Sequence, residues 1–136
     1  MRRGPRRRTL VALLVVYLAA VAWVTLRPDL APDSAFDAVR AAAAWLRARG
    51  VAVTFALVEA LANVVMFVPF GLLVGALQRR TWLVVVAGCL TSALIETLQL
   101  AFLPTRVATL QDVAMNTLGA LLGVLALRLA ARPRRA

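Results

Sequence analysis

The feature that most constrains this chain is its division into four long apolar runs. Residues 10–26, 55–77, 82–103 and 112–131 are dominated by Ala, Val and Leu and carry few charges. Each has the length that crosses a bilayer as a helix, roughly 20 residues. Together they leave 62% of the 136 residues apolar. A water-soluble domain of this size exposes much of its area and could not hide that fraction. The sequence therefore reads as an all-α integral membrane bundle of four transmembrane helices, and soluble enzyme folds are excluded.

Charge placement orients the spans. All sixteen basic residues are Arg, against six acids and no His, for a net charge of +10. Cytoplasmic segments of membrane proteins are enriched in Arg and Lys. With the N-terminus inside, the inner segments hold Arg2, Arg3, Arg6, Arg7, Arg8, Arg79, Arg80, Arg128, Arg132, Arg134 and Arg135. The outer ones hold only Arg27, Arg40, Arg47, Arg49 and Arg106, together with Asp29, Asp33 and Asp37. Both termini are expected in the cytoplasm of a bacterium, since Arg-only usage beside abundant Ala fits G+C-rich codons. The arginines sit between apolar runs and line no single face, so nucleic acid is not an expected partner. One cysteine, Cys89, and no histidine exclude a zinc site, and no cofactor is implied.

The resulting divisions are an Arg-rich tail over 1–9, a first span over 10–26 and an outer loop over 27–54. A three-helix core over 55–131 and a cytoplasmic tail over 132–136 complete the chain. The N-terminus imitates a secretory signal through its arginines, Arg7-Arg8 and Ala20-Val21-Ala22. The apolar run continues through Leu26 without a polar cleavage region, so an uncleaved anchor is expected. In the outer loop, Phe36, Val39, Ala43 and Leu46 recur at helical spacing opposite Asp37, Arg40 and Arg47. Ser34 with Asp37 as a cap and Gly50 as a stop give a short amphipathic helix, either lying on the outer interface with Trp45 as an anchor or forming a lid over whatever the bundle holds.

Polar residues inside the spans are the candidate functional groups. Glu59 and Asn63 lie four apart on the second span. Ser92, Glu96 and Gln99 follow i, i+4, i+7 on the third, and Asp112, Asn116, Gly119 and Gly123 follow i, i+4, i+7, i+11 on the fourth. At about 1.5 Å of rise per residue, Asn63, Glu96 and Asn116 are expected at one depth, on the order of 10 Å below the outer boundary. A charge at the centre of a span costs roughly 2.5–3.5 kcal/mol on insertion scales, so such groups turn to the bundle interior. Gly71/Gly75 and Gly119/Gly123 are GxxxG pairs that permit close backbone approach. Pro69 removes one backbone hydrogen bond, which is expected to free the Val65 carbonyl and kink the helix.

The connection over 104–112 lies above this cluster and brings Arg106 towards Glu59, Glu96 and Asp112. Two readings stand. Arg106 closes the bundle by an ion pair with a carboxylate, which leaves Asn63, Gln99 and Asn116 to be paired. Alternatively, Arg106 receives an anionic headgroup, phosphate or carboxylate, while a carboxylate accepts a proton.

These residues also form a pattern. Asn63-Val64-Val65-Met66-Phe67-Val68-Pro69-Phe70-Gly71 resembles the N…F-x-P-x-G segment of the VanZ-like family. Glu96-Thr97-Leu98-Gln99 resembles its E-x-x-Q segment. Arg106 followed by Asp112, Asn116, Gly119 and Gly123 resembles its R…D-x-x-x-N-x-x-G-x-x-x-G segment. The resemblance covers about residues 59–125, with little from the first span or outer loop. It implies a small bacterial membrane protein with motif positions at Asn63, Pro69, Gly71, Glu96, Gln99, Arg106, Asp112, Asn116, Gly119 and Gly123. The family takes its name from a member linked to teicoplanin resistance, and the resemblance carries over no catalytic residue.

Three functions follow as expectations. The first is an envelope protein whose outward polar pocket of Asn63, Glu96, Gln99, Arg106, Asp112 and Asn116 binds or protects a lipid-linked headgroup or a glycopeptide-like compound. The second is an enzyme acting on a lipid, with Glu96 or Asp112 as general base and Arg106 stabilising negative charge; Ser92 lacks a His or Lys partner. The third is proton- or ion-coupled transport, which would need several copies because the polar stripe stops halfway. The bilayer is the expected partner, and a homo-oligomer is admitted.

Overall fold

The computed structural model describes residues 5–26, 41, 43–50, 53–103 and 109–131. Among these, the regular structure is entirely helical. Helices α1 (Pro5–Thr25), α2 (Phe55–Leu77), α3 (Thr81–Phe102) and α4 (Leu110–Ala130) are each long and apolar enough to span a membrane. Helix α1 starts five residues before the first apolar run, at Pro5. Proline suits the first helical position, and the Arg6–Arg8 stretch that follows is made of good helix formers. Its arginines are exposed, so the helix extends beyond its apolar segment.

Each helix end is made by local chemistry. Thr54 caps α2, its hydroxyl oxygen accepting from the Leu57 N–H at 3.2 Å. The other end of α2 passes into α3 through only Gln78, Arg79 and Arg80. The Gln78 N–H bonds back to the Val74 carbonyl at 2.7 Å. Three carbonyls at this end are taken by Arg128 of α4, which donates to Gly75, Gln78 and Arg79 at 3.1, 2.6 and 3.0 Å. A cation placed against the last carbonyls of a helix satisfies them and opposes the helix dipole.

Helices α2 and α4 run parallel and form the tightest contact in the bundle. A Cβ at Gly71 would strike the Ala120 carbonyl oxygen, one at Gly119 the Val64 oxygen, and one at Gly123 the Val68 oxygen. The backbones touch only because these positions have no side chain. At Gly75 the obstacle is softer, the Val124 Cγ2 at 2.9 Å. Helix α3 crosses the same point from the other side, where a Cβ at Gly88 would lie 2.7 Å from the Ala120 Cβ. Ala120, fully buried, thus has glycines of two different helices against it.

Around this crossing the core holds Val21 of α1, Phe67 and Phe70 of α2, Ile95 of α3 and Ala120 of α4. The rings of Phe67 and Phe70 are 5.6 Å apart, centre to centre. Large apolar side chains such as Val16, Val65, Leu100 and Phe102 point outward. Exposed apolar surface on every helix is what lipid requires and water penalises.

Helix α1 attaches along one edge. Tyr17 donates its hydroxyl to the Met66 carbonyl of α2 at 2.7 Å. Val21 and Thr25 are buried, one and two turns further on. Helix α2 runs unbroken through Pro69. The carbonyl that Tyr17 engages is next to that of Val65, the one whose usual donor proline removes. In the loop, residues 43–47 are helical and Gly50 takes a left-handed conformation at φ 79°. The Arg49 guanidinium stacks on Trp45, 3.4 Å from the ring centre. Phe36, Val39, Arg40, Ser34 and Asp37 lie outside the described residues.

Candidate functional site

The polar residues gather at the end of the bundle that carries Thr109, and α4 organises them. Thr109 caps α4: its hydroxyl oxygen accepts from the Asp112 N–H at 3.1 Å, and its O–H donates to Asp112 Oδ2 at 2.7 Å. The Thr109 backbone N–H donates across to Glu96 Oε2 of α3 at 3.1 Å. Asp112 Oδ1 in turn accepts a short hydrogen bond from the Asn63 amide of α2. One helix start therefore joins three helices through two carboxylates. Both carboxylates sit where the N-terminal dipole of α4 favours negative charge.

One turn deeper lies a second layer. Asn116 Nδ2 donates to the Ser92 hydroxyl at 2.8 Å, and both residues are buried. The other half of that amide, Asn116 Oδ1, is buried with no hydrogen-bond partner among the described residues. Leaving a buried acceptor unpaired costs roughly 1–3 kcal/mol. Below this layer the described interior is apolar, filled by Phe67, Phe70, Val84, Ala120 and Val124.

Gln99 belongs to neither layer. It is buried and turns to α1, donating to the Thr25 carbonyl at 2.8 Å. That carbonyl lies at the C-terminal end of α1, where helices leave acceptors unmatched. Thr25 returns its own hydroxyl to the Val21 carbonyl at 2.8 Å.

Asn63, Gln99 and Asn116, the three residues that an Arg106 ion pair would leave unmatched, each bond to another helix. The common depth expected for Asn63, Glu96 and Asn116 resolves into two layers, because Asn63 reaches Asp112, one turn above Asn116. Glu59 is exposed on α2. Arg106 lies outside the described residues. Of the packing positions, Gly71, Gly119 and Gly123 meet backbone, Gly75 meets side chains, and Pro69 is exposed.

Several participants escaped the sequence reading. Thr109 with Asp112 three residues on is a cap signature, Thr-x-x-Asp. Gly88 forms, with the Ser92 already marked by the polar stripe, a small-xxx-small pair of the kind that packs helices in membranes. Tyr17, Val21 and Thr25 recur every four residues on the one face of α1 that docks. Arg128 stands in the last turn of α4, where a cation is expected to find carbonyls.

Among the described residues, no group of three or more His, Cys, Asp or Glu gathers as metal ligands would. What the site offers is hydrogen bonding: two half-buried carboxylates, two asparagines and one amide oxygen unmatched among the described residues.

No curated protein and no solved structure matches this chain. A family model does, and it extends further than the motif segments, from residue 13 in α1 to residue 131 at the end of α4. Helix α1 is thus part of the family's unit, in keeping with its bonds to Met66 and Gln99. The chain belongs to the VanZ/LLP1 family.

Proposed function

We propose that this VanZ-like protein lies in the bacterial cytoplasmic membrane with both termini inside and its Thr109 end facing outward. There its polar layers bind or protect the headgroup of an envelope lipid or lipid-linked precursor. The observation that carries this reading is Asn116. Its amide is held by Ser92, buried, and keeps an acceptor without a donor among the described residues. A hydroxyl or amine of a headgroup would supply that donor beneath the Glu96–Thr109–Asp112 layer. Arg106, a motif position four residues before the α4 start, would meet the anionic part of the same molecule. Glycopeptide tolerance is the phenotype the family resemblance suggests testing.

The experiment is native mass spectrometry of the purified chain with the lipids it carries. The wild-type protein is expected to retain a lipid-linked species that Asn116→Ala and Arg106→Ala both lose. Bulk phospholipid alone on the wild type, or retention by both variants, would remove the reading.

A second reading is favoured by the pairing of Asn63, Gln99 and Asn116: the polar layers only hold the helices together. The catalytic alternative keeps Glu96 or Asp112 as general base, although the nearby Ser92 hydroxyl is committed to Asn116. The transport alternative must pass the apolar interior below Ser92 and Asn116.

A further inference from the structure

The opposite end of the bundle carries a second chemistry. Arg6, Arg7 and Arg8 begin α1, Arg79 and Arg80 form the α2–α3 turn, and all five are exposed. The Tyr17–Met66 bond sets the register between α1 and α2. From it, about 15 Å of helix rise in each direction brings Arg7 level with the last turn of α2, just before Arg79. The described acids, Glu59, Glu96 and Asp112, all lie towards the Thr109 end.

Towards this end α1 keeps one docking face and one exposed face. Val21 and Thr25 are buried and Leu14, Tyr17 and Leu18 pack on the core. Leu10, half-buried, continues that strip, while every other residue between Arg6 and Leu13 is exposed, Val11 and Leu13 among them. The result is an exposed apolar face of α1 that ends at the level of arginines from two separate segments.

We propose that this end of the bundle holds an anionic phospholipid, its phosphate shared by the α1 arginines and the Arg79–Arg80 turn and its acyl chains along the exposed face of α1. Charge complementarity selects this occupant. A second copy of the chain would bring five more arginines to the same level and be repelled. A zwitterionic lipid would leave the arginines unneutralised. Juxtamembrane arginine clusters attract anionic headgroups by about fivefold per residue engaged.

Trp82 provides the readout, being exposed two residues beyond Arg80. The full chain, with Trp23→Phe and Trp45→Phe, is reconstituted into phosphatidylcholine vesicles. These contain equal fractions of dibrominated phosphatidylglycerol or dibrominated phosphatidylcholine, and Trp82 quenching is compared. The brominated anionic lipid is expected to quench more strongly. That preference should disappear in Arg7→Gln/Arg8→Gln and equally in Arg79→Gln/Arg80→Gln, and persist in Arg47→Gln/Arg49→Gln. Equal helicity by circular dichroism verifies that the variants fold. Equal quenching by both lipids would overturn the site, including the case in which a second copy covers this face. A preference that survives loss of the α1 arginines would overturn it as a shared site.

Discussion

Glu96 on α3 accepts from the backbone N–H of Thr109, the residue that caps α4. In an ordinary capping box the side chain at the third helical position takes that N–H. Here a neighbouring helix takes it, so the third position, Asp112, is bonded to the Thr109 hydroxyl and to Asn63. The start of α4 is therefore a junction of three helices as well as a cap.

The junction predicts a graded response at Thr109. Thr109→Ser keeps both hydroxyl bonds and should unfold in detergent near the wild-type temperature. Thr109→Ala loses the cap, which costs about 1–2 kcal/mol. In a double-mutant cycle, Asn63→Ala and Asp112→Ala should couple by about 0.6–1.7 kcal/mol, the range of interhelical hydrogen bonds in membranes. Additive effects would mean that the two residues do not act on each other.

The glycines should separate by what each faces. Gly119→Ala and Gly123→Ala press a methyl group onto carbonyl oxygens of α2, which cannot move without moving the helix. Overpacking of this kind costs about 1–3 kcal/mol or more. Gly75→Ala meets only the end of the Val124 side chain and should cost less. Thermal unfolding of the three variants gives the order.

Arg128 should matter more than a surface arginine. It is half-buried and donates to three carbonyls at the α2–α3 turn. Hydrogen bonds that involve a charged group contribute about 1.5–3 kcal/mol. Arg128→Gln should therefore destabilise the chain clearly, whereas Arg80→Gln should not. Similar melting curves for the two would contradict the capping role.

The Tyr17 and Gln99 bonds and one buried strip attach α1. Gln99→Leu leaves the Thr25 carbonyl without its donor, and Tyr17→Phe does the same at Met66. Hydrogen exchange should rise at the C-terminal end of α1 in Gln99→Leu while the α2–α4 contact stays protected. Faster exchange throughout the bundle would show that α1 is integral to the core.

Much of this architecture was legible in the sequence because membrane spans declare themselves by length, and intramembrane polar residues by their rarity. The helical spacing of polar residues marks Asn63, Glu96, Asp112 and Asn116. Partner identity was not legible. Asn63 could reach Asp112 or Asn116 by spacing alone, and only the glycine-set offset between α2 and α4 decides for Asp112. Tyr17, Thr25 and Gly88 were hidden for another reason. In an apolar run a tyrosine, a threonine or a lone glycine is ordinary, and its meaning depends on which helix faces it.

The central claim is that the polar layers at the Thr109 end form a site as well as a joint. The direct measurement introduces Glu96→Gln, Arg106→Ala and Asn116→Ala into a strain lacking the native gene. Membrane abundance is scored together with glycopeptide and detergent tolerance. The account predicts near-normal abundance with lost tolerance. Abundance that falls in step with tolerance, with full function in whatever protein remains, would contradict it and reduce the cluster to the bonds that hold the bundle together.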